Sequence, residues 1–232
     1  GAMSSPDQVM ARSVLNALYP DTTYSFNSGG DPMQIPELTH EQLLDFHARH
    51  YHPSNAFFYT YGDLPLTPHL HFIEKTVLNR FTSIHPDTAV RSQPRWMRPK
   101  TASYQYPIDP KEKPQKKSQA CVAWLTADIR DAYEMLVLSV LEQVLIGNSG
   151  APLRKALMDS GLGSTLSDAT GLDTENKDTM FACGLKDVDP EDAEKIEHII
   201  FAVLSDLAEK GIDRRLVDSA VHQIEFHRRE VT

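Results

Sequence analysis

Apolar residues at helical spacing and short apolar runs of strand length divide this chain into recognisable elements. Ser5, Pro6 and Asp7 offer a cap, a first-turn proline and an early acid, and Met10, Val14 and Leu18 follow at four-residue spacing until Pro20, which predicts an amphipathic helix. A second helix is predicted from Thr39, where Gln42 completes a capping box, Leu38 and Leu43 occupy staple positions, and His52-Pro53 stops the run. The aromatic-rich segment Ala56 to Tyr61 reads as a strand, and a third helix starting at Thr67-Pro68 lines up Leu70, Ile73, Val77 and Phe81.

A polar stretch rich in proline then intervenes. Pro86, Pro94 and Pro99 lie in it, and residues 83–101 read as a linker because proline removes backbone donors and little apolar surface is available to bury. A strand is predicted to restart at Ala102 to Ile108. From Ala120 to Leu125 both faces are apolar, as expected of a strand inside a covered sheet. A long helix opening at Asp128 carries Leu136, Val137, Val140, Leu141 and Val144 to the stop at Gly147-Asn148, and a shorter one follows Pro152 to Gly161. Thr165 to Thr170 and Met180 to Leu185 read as hairpin strands joined by the polar loop Asp173 to Asp178. Two further helices are predicted, one from Asp189-Pro190-Glu191 to Gly211 and one from Asp213 onward.

Paired strands between runs of helices predict an α+β fold, an antiparallel-rich sheet with helices packed on one face. The domain expectation is 1–82, a linker over 83–101, and 102–232. Residues 1–82 hold three helices and one good strand, too little to cover a sheet of their own, so they read as the tail of a larger domain. Their uncovered faces would then need a partner, and self-association through Met10, Val14 and Leu18 is expected.

Charge narrows the function. With 23 Lys+Arg against 32 Asp+Glu the formal net charge is −9, and no polybasic run is present, so the attraction that dominates nucleic-acid and anionic-membrane binding is missing. No apolar run reaches the roughly 18 residues of a membrane span, which predicts a soluble chain. Cys121 and Cys183 sit in apolar runs and read as buried thiols.

Ten histidines invite a metal reading, and spacing weakens it. His47 and His50 share a helical face with Leu43, near His40, yet no carboxylate joins them and even a catalytic zinc needs three protein ligands. A structural role is expected for His47 instead, packed between its helix and the sheet. His69 and His71 point apart on a helix. The run His222-Gln223-Ile224-Glu225-Phe226-His227 reads H-x-x-E-x-H, so its second histidine is turned about 140° from the first rather than sharing its face as in H-x-x-E-H. Ser28-Gly29-Gly30-Asp31-Pro32 lacks the strand before it and the Gly-Lys-Ser/Thr after it that a phosphate loop needs. No residue therefore receives a catalytic, cofactor-binding or metal-ligating assignment.

The stretches Ser28-Gly29-Gly30-Asp31-Pro32, Ile35-Pro36-Glu37-Leu38-Thr39, Phe46-His47 and His50-Tyr51-His52-Pro53-Ser54-Asn55-Ala56 resemble the pitrilysin/insulinase superfamily of zinc metallopeptidases, in its falcilysin-like presequence-protease branch. Tyr59-Thr60-Tyr61-Gly62, Pro152-Leu153-Arg154-Lys155-Ala156-Leu157 and Ser160-Gly161-Leu162-Gly163 extend the resemblance in collinear order. It implies a large enzyme of four homologous α+β domains closing around a chamber that cuts unstructured peptides. Zinc in that family is held by H-x-x-E-H, whose Glu is the general base, and by a Glu just before a Lys-Gly pair; neither element is present here. The implied identity is a middle fragment, starting at Gly1-Ala2-Met3-Ser4 just after the third ligand unless Gly1-Ala2-Met3 is a tag remnant. It would form chamber wall and support, be inactive alone, carry no zinc itself, and work with the remaining domains of the same enzyme in a bacterial cytoplasm or organelle lumen. A natural non-catalytic scaffold of the same fold, and an independent metal-binding domain using His47 and His50, are the competing readings.

Overall fold

A computed structural model describes residues 5–230, so the expectations attached to Gly1 to Ser4 lie outside the described residues. The chain divides into two compact units, residues 28–89 and the combination of 1–27 with 90–232. The span 1–82 is thus split at residue 27.

The larger unit is built on a four-stranded antiparallel sheet. Its spine is a pair of eleven-residue strands, β1 (Ser118–Asp128) and β4 (Asp178–Val188). They run in register from Gln119 opposite Lys186 to Leu125 opposite Met180. On the other edge of β4 lie β2 (Thr165–Leu166) and β3 (Gly171–Asp173). The expected strand 165–170 is therefore shortened to its first two residues, with β3 starting just beyond it, because Ser167 to Thr170 closes a turn in which the Thr170 N–H donates to the Ser167 carbonyl at 2.8 Å. Gly171 then takes φ 138°, a region side chains avoid.

Helices follow caps legible in the sequence. In α1 (Pro6–Leu18) the Ser5 hydroxyl accepts from the Gln8 N–H. In α4 (Ala132–Ile146) the Asp131 carboxylate accepts from the Glu134 N–H, so this helix opens three residues after the expected Asp128. Asp128 instead accepts from the N–H and guanidinium of Arg130, which holds its carboxyl well below the usual carboxylate range. The remaining helices are α5 (Pro152–Asp159), α6 (Ala193–Lys210) and α7 (Arg214–Glu230), the last packed against α4.

Alternation along β1 and β4 sends side chains to two separate cores. Cys183 and Leu185, with Ala120, Val122 and Trp124, join Leu153, Leu157, Ile196 and Ile200 from α5 and α6. Cys121, Ala123, Leu125 and Met180 face the other way, onto Val14, Leu18 and Tyr19 of the α1 segment. The α+β class holds, and both faces of the spine are covered, as the doubly apolar run Ala120 to Leu125 requires. The expectation that Val14 and Leu18 need a second copy is corrected, since the sheet already buries them.

Residues 28–89 contain α2 (His40–His50), with its capping box formed, and α3 (Leu66–Thr76), and bury no side chain. Polar contacts fix its loops: the Asn55 amide donates to the His50 carbonyl at 2.9 Å, the Ile84 N–H to Ser54 Oγ at 3.1 Å, and His52 meets Phe81 edge to face. Ala56 to Tyr61 is not a strand, because no second strand in this unit completes a ladder with it. Leu43, Leu44, Phe46, Phe57, Tyr59 and Tyr61 are all exposed. Ala102 to Ile108 is likewise unpaired.

Candidate functional site

Chemistry-bearing side chains gather at two places in the larger unit, each assembled from stretches well separated in sequence. The first lies where the expected linker meets the start of β4. Gln93 is 2% exposed, so this stretch is anchored despite its polarity. Its N–H donates to Asp178 Oδ2 at 2.8 Å, and its amide exchanges hydrogen bonds with Asp21, accepting from the Asp21 N–H at 3.0 Å and donating to Asp21 Oδ2 at 2.7 Å. Arg95 Nη2 reaches Asp178 Oδ1 at 3.2 Å and the Thr126 carbonyl at 2.6 Å. The Tyr19 hydroxyl donates to the Asp178 carbonyl at 2.6 Å, and burial, with Asp173 adding to it, pushes this phenol above its ordinary range. Every polar group here has a partner inside the protein. The cluster ties the N-terminal helix, the proline-rich segment and β4 together.

The second place is a shallow cleft of about 250 Å³ lined by Asp7, Tyr106, Lys117, Gln119, Lys186 and Asp187 among others. Lys186 Nζ lies 3.1 Å from Asp168 Oδ2 and 3.7 Å from Asp7 Oδ2. A hydrogen bond with the Asp7 carboxyl and the Lys186 ammonium hold Asp168 below the usual carboxylate range, and Lys186 is raised chiefly by Asp168. Charges paired in this way neutralise one another, a surface ion network rather than a poised catalytic pair.

The histidines do not converge. His47 is exposed and stacks on Tyr51 at 4.7 Å, one residue past the end of α2, and His50 lies against Phe46 at 4.5 Å. The expected burial of His47 against a sheet is corrected: its unit contains no strand. His222 approaches Glu225 at 3.9 Å on the open surface of α7, and His227 stands beside Phe226. Among the described residues no three His, Cys, Asp or Glu are placed to hold a metal ion together, so these residues do not fit a catalytic zinc. Burial pushes the Cys121 thiol up to about 11 and the Cys183 thiol up to about 12, far from the depressed values of reactive cysteines. The two thiols face opposite cores. Sequence reasoning missed the Gln93, Arg95 and Asp178 cluster; its only signal was charged and amide residues embedded in a proline-rich stretch.

Residues 37–224 match the family model described as the Peptidase M16 inactive domain. The mitochondrial presequence protease of Xenopus laevis is 39% identical over 227 residues, which are 97% of this chain and 22% of that protein. Presequence protease 1, chloroplastic/mitochondrial, of Arabidopsis thaliana is 36% identical over 232 residues, and the protein HypA of Clostridium perfringens is 34% identical over 230. The chain spans about a fifth of the length of these relatives. A crystal structure of an M16-like peptidase from Alicyclobacillus acidocaldarius matches with a TM-score of 0.59 at 20% identity, over 96% of this chain and 51% of that one, a likeness of fold.

Proposed function

We propose, from the premise that this chain belongs to the M16 peptidase family, that it is a non-catalytic portion of a zinc-dependent metalloendopeptidase that degrades unstructured peptides. The observation that carries the reading is the collinear similarity of 97% of the chain to a presequence protease, coupled to a match with the family's inactive domain. In this role residues 102–232 supply a second, peptidase-like domain that lines the chamber, and the zinc and its general base come from other segments of the parent enzyme. The exposed apolar side chains of residues 28–89 support the same reading, because a surface of that kind is stable when another part of a domain covers it. The Xenopus and Arabidopsis relatives carry mitochondrial and chloroplastic/mitochondrial names, which favour an organelle lumen. Among the described residues no helix is long and apolar enough to cross a membrane.

The test is reconstitution. The purified chain, incubated with an unstructured fluorogenic peptide and zinc, is expected to show no turnover. Adding the segment of the parent reading frame that carries H-x-x-E-H should produce chelator-sensitive cleavage that requires both pieces. Zinc-dependent turnover by the chain alone would overturn the proposal. A parent reading frame without H-x-x-E-H would instead establish the scaffold alternative.

A further inference from the structure

β1 pairs with β4 on one side only, so its other side is a sheet edge eleven residues long. Such an edge presents unpaired N–H and C=O groups to any extended chain that reaches it. The chain that reaches it here is the protein's own. Arg95 Nη2 donates to the Thr126 carbonyl at 2.6 Å near one end of β1, and the Tyr106 hydroxyl donates to the Lys117 carbonyl at the other. Residue numbers rise along one segment as they fall along the other. The segment 95–106 therefore runs antiparallel past β1, clamped at both ends by side chains. Among the described residues no backbone hydrogen bond joins the two segments.

The connection between them is already shaped like that of a hairpin. The Asp109 carboxylate accepts from the Lys111 N–H at 2.8 Å and its carbonyl from the Glu112 N–H at 2.8 Å. Lys117 pairs with Glu112 at 2.9 Å, and Lys116, at φ 51°, donates its N–H to Asp189 Oδ1 at 2.8 Å. Along the segment, Trp96 packs against the α1-side core, with Lys100 Nζ 4.3 Å from its ring centre. Tyr104 and Tyr106 lie two positions apart, as residues on one face of a strand do, and both are engaged: the Tyr104 hydroxyl donates to Asn16 Oδ1 at 2.8 Å. Residues 102–106 also lie in the stretch, Ala102 to Ile108, where the sequence predicts a strand.

We infer that residues 95–106 form a strap that closes onto β1 as an additional, outermost strand of the sheet, in exchange with the open form described above. Pro99 has no N–H to give a further strand, and proline is tolerated in the outermost position alone. A closed strap would thus terminate the sheet and shield the β1 edge from foreign chains; an open one exposes it.

Hydrogen exchange followed by mass spectrometry tests the strap in the intact chain and in Tyr106→Phe, which removes one clamp and leaves the Arg95–Asp178 pair in place. In the intact chain, peptides covering 100–106 are expected to exchange about tenfold or more slowly than an unstructured chain. In Tyr106→Phe these peptides and those of β1 should speed up together, while β4 peptides keep their protection. Exchange of 100–106 at the unstructured rate in the intact chain would overturn the inference. So would a β1 exchange rate that stays unchanged when the strap is freed.

Discussion

Asp178→Ala probes the cluster that joins three separated stretches of sequence. The residue is 5% exposed and its carboxylate has two partners, the Gln93 N–H at 2.8 Å and the Arg95 guanidinium at 3.2 Å. Truncation leaves the Gln93 N–H without an acceptor in a place that water does not reach, at about 1 to 3 kcal/mol for an orphaned buried donor. The Arg95 side chain is 48% exposed, so solvent screens its loss and adds no more than about 1 kcal/mol. The Tyr19 hydroxyl is untouched, because it donates to the Asp178 backbone carbonyl. The expected total is about 2 to 3 kcal/mol. Asp178→Asn keeps one oxygen for Gln93 and should cost about 1 kcal/mol. Urea unfolding can be followed by the fluorescence of Trp124, which stacks on Phe181 and meets Phe201 edge-on in the main core. With a slope of about 2 kcal/mol/M, the midpoint should fall by about 1 to 1.5 M for Ala and about 0.5 M for Asn. An Ala midpoint within about 0.3 M of the parent, or an Asn variant as weak as Ala, would refute the reasoning.

Gly184→Ala places a Cβ 2.0 Å from the Ala120 carbonyl oxygen and 2.6 Å from Cys121 Cα, both backbone atoms of the central strand pair, and should cost more than about 3 kcal/mol; an unchanged urea midpoint would count against it. The buried thiols make stability fall at high pH. Because Cys121 and Cys183 keep their protons in the folded state until about 11 and about 12, while in the unfolded chain they lose them from about 9, the native state binds more protons in between. Their contribution is therefore complete below pH ~9 and is lost as pH rises through the folded values, a decline that Cys183→Ala should flatten in a series of urea midpoints. His47→Ala should change stability by less than about 0.5 kcal/mol, since the ring is exposed, and should leave the zinc content of the purified chain unaltered; a loss of bound zinc in this variant would restore the metal-site reading.

Local chemistry wrote the helices into the sequence. Ser5 with Pro6, Thr39 with Gln42, and the stop at Gly211 are short-range signals whose hydrogen bonds lie within one or two turns, and the helices begin and end near them. The double apolar character of Ala120 to Leu125 likewise announced a strand covered on both faces. The weakness of the metal motifs was legible too, because helical geometry turns His222 from His227 whatever surrounds them. Pairing was not legible. Ala56 to Tyr61 and Ala102 to Ile108 have strand composition, yet a strand exists only where another backbone supplies its hydrogen bonds, and that supply is a property of the whole sheet. Which apolar stripe needed a partner was hidden for the same reason. Val14 and Leu18 found theirs on Ala123 and Leu125, more than a hundred residues away, whereas Leu43 and Phe46 carry an equally apolar pattern and remain exposed. Gln93 and Asp178 make the point at a single contact: each is an ordinary polar residue in sequence, and only the fold, by removing water from both at once, turns their hydrogen bond into a tie between the proline-rich stretch and the sheet.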